Sequence, residues 1–246
     1  LSGDTIPEFL LTHPIKTRRI TESRERARNA PKEGTIDSLN YKLIKSRVNF
    51  LMTDNLSIRA LENNNYTTDE EIYFSALLEK KKLNYTKSLE ILKGLEKKYP
   101  DNLIIKTSIA EIYTESGNVG KSKKYTQDLL DISLGNYPLS YNLANAYILE
   151  EDYIAAEQIL EDIKFYRPVD ITLLKDLSEV QLKSNNLLGF HLTNSEYLFY
   201  SGRYEEALRD LQQARALSTN NFKIREIITE RILILQSYVR SQRTRS

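Results

Sequence analysis

Residues Tyr141–Pro168 read YNLANAYILEEDYIAAEQILEDIKFYRP, and this stretch decides the fold. Apolar residues recur at helical spacing on either side of Glu151-Asp152, so the stretch reads as two helices joined by a tight turn. Ala144 and Ala156 sit where those helices would cross, and Pro168 stops the second one. The same arrangement returns every 34 residues, in units that start at Asp69, Leu103, Tyr137 and Ile171. The eighth position reads Ala76, Ala110, Ala144, Ser178, and the eleventh Glu79, Tyr113, Tyr147, Gln181. The twentieth reads Ser88, Ser122, Ala156 and then Phe190, where the pattern breaks; the twenty-seventh reads Leu95, Leu129, Ile163. Small side chains at positions eight and twenty let two helix backbones approach closely. Gly117, in the turn of the second unit, suits a residue of positive φ.

This pattern resembles the tetratricopeptide repeat. The resemblance implies an all-α superhelix of antiparallel helix hairpins closed by a C-terminal capping helix. The fourth unit shifts phase. SEYLFYSGRYEEALRDLQQARAL carries Ser195, Gly202, Ala207, Leu211 and Ala214 in repeat positions, half a period along. One helix, near Leu187–Tyr200, is therefore expected to end one unit and begin the next. His191 lies on it and reads as a packing histidine. FKIREIITERILILQSYVRSQ reads as the capping helix, with a polar outer face expected of it. Upstream, TIDSLNYKLIKSRVNFLMTD and LSIRALENNN read as a degenerate first hairpin, preceded by the linker Ala30-Pro31-Lys32-Glu33-Gly34. The expected divisions are 1–30, 31–68, 69–220 for the repeats, and 221–246 for the capping helix and basic tail.

Bulk properties narrow the function classes. The chain has 246 residues, 40% hydrophobic and 28% charged, with net charge +1 and no cysteine. Disulfides and thiolate metal sites are excluded. A near-neutral chain with no basic stripe gives little drive toward nucleic acid. No apolar run is long enough for a transmembrane helix, and the first residues lack the basic start and apolar core of a signal peptide.

The opening, FLLTHPIKTRRITESRERA, fits none of the repeat logic. Its Thr12-His13-Pro14 turn is followed by Arg19-Ile20 and by Ser23-Arg24-x-Arg26-Ala27. A Thr-His-Pro turn, an arginine-rich helix and a tetratricopeptide array, in that order, resemble the end of the catalytic domain and the following repeat domain of periplasmic zinc metallopeptidases of the beta-barrel assembly-enhancing protease type. The resemblance implies a periplasmic location and a zinc in the intact parent, with His13 as a candidate metal-binding residue there. It also implies two kinds of partner: the chain's own peptidase domain, and either the outer-membrane protein assembly machinery or unfolded outer-membrane proteins. The chain departs from that family in lacking His-Glu-x-x-His, the pair of zinc ligands with a glutamate base on one helix face. With two histidines, His13 and His191, and no cysteine, it has no cofactor of its own and is not by itself a peptidase. It reads as a repeat domain carrying a remnant of the peptidase domain. A free-standing scaffold that binds a peptide or protein partner is the alternative.

Positions two, five, nine, twelve and thirteen of a repeat face the groove of such an array, according to the resemblance. Here these positions single out Tyr73, Glu111, Tyr141, Asn145 and Lys175 as partner-binding candidates. Asn145 can bridge peptide N–H and C=O groups. Lys175 is followed by Glu179 rather than asparagine, so the lysine–asparagine carboxylate clamp of chaperone adaptors is not formed.

Overall fold

The computed structural model describes residues 37–53, 66–219 and 221–243, together with Thr21, Arg24, Glu25 and Arg28. The chain falls into two units, Leu1–Tyr41 and Lys42–Ser246. In the first, Thr21, Arg24, Glu25 and Arg28 are helical and exposed. His13 and the rest of the Thr-His-Pro motif, the linker and the LSIRALENNN segment lie outside the described residues.

The described residues form helices and no strand. Helix α1 spans Leu39–Met52. The hairpins follow: α2 (Asp69–Lys81) with α3 (Tyr85–Lys98), α4 (Leu103–Glu115) with α5 (Val119–Ile132), and α6 (Tyr137–Leu149) with α7 (Tyr153–Tyr166). Then come α8 (Ile171–Lys183), α9 (Leu187–Tyr200), α10 (Tyr204–Leu217) and α11 (Phe222–Arg243).

Local chemistry sets these boundaries at repeat intervals. Each first helix starts behind a side chain that caps its free N–H groups: Thr68, Asn102, Asn136 and Asp170, spaced 34 apart. Thr68 and Glu71 complete a capping box. Each first helix ends with a left-handed residue, namely Leu83, Gly117, Glu151 and Asn185, with Gly202 in the shifted phase. The next backbone N–H then reaches back five residues, as from Asn118 to the Tyr113 carbonyl at 2.9 Å. The glycine at 117 signals this turn in the sequence. Leu83 and Glu151 do not, because the repeat imposes the geometry at a cost of about 1–2 kcal/mol per residue.

The predicted close contacts are present. Ala76, Ala110, Ala144, Ser88, Ser122 and Ala156 are fully buried. At the two serines the hydroxyl donates to the facing backbone: Ser88 Oγ to the Ala76 carbonyl at 2.6 Å, and Ser122 Oγ to the Ala110 carbonyl at 3.2 Å. The core of the third unit, Ala144, Ala156, Leu160 and Ile163, continues into Leu173, Leu177 and Val180 of α8. Between α4, α5 and α6, a buried polar seam joins Thr114, Ser122, Thr126 and Asn142 by mutual hydrogen bonds. Helix α9 packs against both α8 and α10, as the phase shift predicts. Ala207, Leu211 and Ala214 are buried with Leu198 and with Ile228, Ile232 and Leu235 of α11. The outer face of α11 departs from expectation. Besides charged residues it exposes Phe222, Leu233 and Ile234, because the helix carries apolar residues on more than one side.

Candidate partner-binding site

The five predicted groove residues separate into two groups. Tyr73, on α2, is fully buried. Its hydroxyl lies 2.8 Å from Ser108 Oγ on α4. Ser108 Oγ itself donates to the Ile104 carbonyl at 3.0 Å, so the tyrosine is the donor. Glu111 is mostly buried, with its side chain 18% exposed, and is held by two cations. Arg47 Nη2 donates to Oε1 at 2.5 Å and Lys80 Nζ to Oε2 at 3.2 Å. Tyr73 and Glu111 are therefore internal rather than open to a partner, which corrects the reading of both.

The cause is α1, which the repeat register did not place. It runs parallel to α2: Lys42 pairs with Glu70, Phe50 packs edge-on against Phe74, and Lys81 donates to the Thr53 carbonyl. Its inward stripe is Leu43, Ser46, Arg47 and Phe50, a helical spacing. Arg47 passes beyond α2. Its Nη1 lies 3.4 Å from the Tyr73 hydroxyl and 3.2 Å from Ser108 Oγ, while Nη2 takes Glu111. Burial works against the guanidinium charge, but Glu111 and Tyr73 outweigh it and hold its pKa above the ordinary arginine value. One arginine thus closes a seat made by Tyr73, Ser108 and Glu111.

Tyr141, Asn145 and Lys175 form the second group. Tyr141 and Asn145 are half-buried on α6, and Lys175 is exposed on α8. The Tyr141 ring tilts against Tyr137 at 5.6 Å, and Arg167 lies over the Tyr137 face at 4.1 Å. The Tyr141 hydroxyl donates to Asp176 Oδ2 on α8. Burial first, and Glu179 second, push the Asp176 carboxyl above the usual carboxylate range. Lys175 reaches Glu179 at 3.7 Å, an exposed pair one helical turn apart. Asn145 has no side-chain bond to another described residue. The face where α6 and α8 meet is therefore aromatic, amide-bearing and acidic.

Asp176 was not a sequence candidate. The signal that could have found it is the repeat itself. Tyr73 and Ser108 are 35 residues apart, and so are Tyr141 and Asp176.

A catalytic zinc needs about three protein ligands around an open position. Among the described residues no three His, Cys, Asp or Glu side chains are grouped to hold a metal ion. His191 places Nδ1 2.7 Å from Asp210 and packs on Phe190 at 4.9 Å. The described residues do not fit a catalytic zinc. No described helix is long and apolar enough to cross a membrane.

No family model matches the chain. It is 27% identical over 219 residues to a Vibrio cholerae protein described as "Putative beta-barrel assembly-enhancing protease". That alignment takes in 86% of this chain and 45% of the Vibrio protein, so the chain spans about half of the relative it matches. Among solved structures, a tetratricopeptide repeat protein from Parabacteroides merdae is 14% identical at a TM-score of 0.45, over 80% of this chain and 82% of that one. MamA from Desulfovibrio magneticus is 12% identical at 0.49, over 72% and 99%. The capped hairpins at 34-residue intervals make the chain a tetratricopeptide solenoid, and over most of its length it is similar to the Vibrio protein described as a "Putative beta-barrel assembly-enhancing protease".

Proposed function

We propose that this chain is the non-catalytic, partner-recruiting repeat domain of a periplasmic zinc metallopeptidase that acts in outer-membrane protein quality control. The observation that carries the recruiting role is the α6–α8 face. It presents an aromatic pair, Tyr137 and Tyr141, beside the amide of Asn145, which bonds no other described side chain, and the carboxylates of Asp176 and Glu179. Such a surface offers large contact area with fixed polar tips, suited to an unfolded polypeptide. The likeness to the Vibrio protease supports the cellular role. In this reading the zinc and its peptidase chemistry belong to the protease part of the parent, and His13 faces them there.

The test is equilibrium binding of the whole chain to a purified, unfolded outer-membrane β-barrel polypeptide. The double variant Tyr141→Ala/Asn145→Ala is expected to keep its helicity and to bind about tenfold or more weakly, the loss of one aromatic anchor and its amide. Equal affinity would move recognition off this face. No binding by the parent chain would favour a scaffold for some other partner.

A further inference from the structure

The Arg47 seat is present twice. Tyr73, Ser108 and Glu111 hold Arg47. Each of these residues has a counterpart two repeats, or 68 residues, further on: Tyr141, Asp176 and Glu179. The geometry repeats with the register, because both tyrosines donate to the residue 35 positions later on the next first helix. The second seat is the more acidic, with a carboxylate in place of the serine hydroxyl.

The two seats differ in what fills them. Beside Tyr73 stands α1 with Arg47. The residue 34 positions before Tyr141 is Thr107 of α4, which is buried, short and bonded to the Leu103 carbonyl at 2.8 Å, so it offers no cation. Among the described residues no cation pairs with Asp176. The Glu179 side chain is 61% exposed, and the one described cation it pairs with is Lys175, an i,i+4 pair of small net energy that a better-placed cation can displace.

We propose that Tyr141, Asp176 and Glu179 form a seat for an arginine side chain carried by a partner polypeptide, the counterpart of the seat in which the chain holds its own Arg47. Arginine fits better than lysine. Its planar fork places several N–H donors at once, as Arg47 does on a hydroxyl pair and a carboxylate, whereas an ammonium is a point charge. Desolvation of Asp176 by its neighbours adds to the attraction, since a paired cation relieves it. This rests on the α6–α8 face being the recognition surface, and it specifies what that surface selects.

The test is an NMR titration of the isotope-labelled whole chain with a synthetic peptide bearing one central arginine, and with copies carrying lysine or glutamine there. The expected result is saturable shifts at Asp176 and Glu179, with binding about tenfold weaker for the lysine and glutamine peptides. The paired variant Asp176→Asn/Glu179→Gln should keep its fold and lose the same factor. Lys175→Thr, which removes the competing ammonium, should bind more tightly. Equal binding of the lysine peptide, absence of shifts, or an unchanged affinity in the paired variant would each overturn the arginine seat. If the paired variant still binds the unfolded β-barrel polypeptide at parental strength, the arginine seat fails and the recruiting face stands. If Tyr141→Ala/Asn145→Ala also binds at parental strength, the face itself fails.

Discussion

The first two repeats and the third and fourth use the same scaffold and leave it in different states. At the N-terminal end, Arg47 locks Tyr73, Ser108 and Glu111 into the interior. At the matching positions Tyr141 and Asp176 are half-buried and Glu179 is exposed, and the Asp176 carboxyl is held above the usual carboxylate range with no described cation to relieve it. Repetition of backbone and contact geometry does not carry repetition of role. What separates the filled seat from the one proposed for a partner is one side chain on an adjoining helix, Arg47.

If that comparison is sound, damage to the shared scaffold must cost the same in both halves. Ala110→Leu and Ala144→Leu each overpack a fully buried helix crossing and should each lose about 1–3 kcal/mol in chemical denaturation. A clear inequality would show that the two halves differ in packing as well as in occupancy.

The next largest effect separates the two seats. Arg47→Ala removes a half-buried, hydrogen-bonded charge and leaves Glu111 with Lys80, so stability should fall by about 2 kcal/mol. Glu179→Gln, at the position matching Glu111, should change stability by less than about 0.5 kcal/mol, because its pair is exposed. Equal losses would mean that the second seat is structural too.

The interhelix turns sharpen the view that the repeat, not the residue, sets the backbone. Gly117→Ala places a side chain at φ +76 and should cost about 1 kcal/mol. Leu83→Gly, at φ 64 and with an exposed side chain, should gain a few tenths to about 1 kcal/mol. A loss at both positions would contradict that view.

The smallest effect concerns Asp176. A carboxyl whose pKa is raised on folding contributes stability below its unfolded value, near about 3.9, and loses it as pH rises through the folded value. At neutral pH the charged group is therefore a cost. Asp176→Asn, which keeps an acceptor for the Tyr141 hydroxyl, should raise the melting midpoint by about 1–2 °C at pH 7, with the difference fading on acidification. An unchanged or lowered midpoint at pH 7 would mean that Asp176 is already compensated.

The hairpins were legible because their signals are local and periodic. Ala144, Ala156 and Pro168 fixed the register, and the phase shift at Leu187–Tyr200 followed from Ser195, Gly202 and Ala207. Helix α1 was legible as a helix but not as a lid on Tyr73, because the Arg47 contacts span 26 to 64 residues and lie outside the 34-residue register. Tyr73 and Glu111 are covered rather than open to a groove, and that covering depends on α1, a neighbour the repeat register does not specify. Asp176 escaped notice because position six is not a usual groove position. It becomes visible only when Tyr73–Ser108 is seen as a contact and carried forward two repeats.

In this proposal the chain fills one seat with its own Arg47, and the twin seat takes an arginine from a partner. The stoichiometry of binding to the single-arginine peptide tests it most directly, measured by calorimetry on the parent and on Arg47→Ala. The parent should bind one peptide per chain, and Arg47→Ala, with its own arginine withdrawn, should bind two. No binding to the parent, or one peptide bound by both proteins, would contradict it.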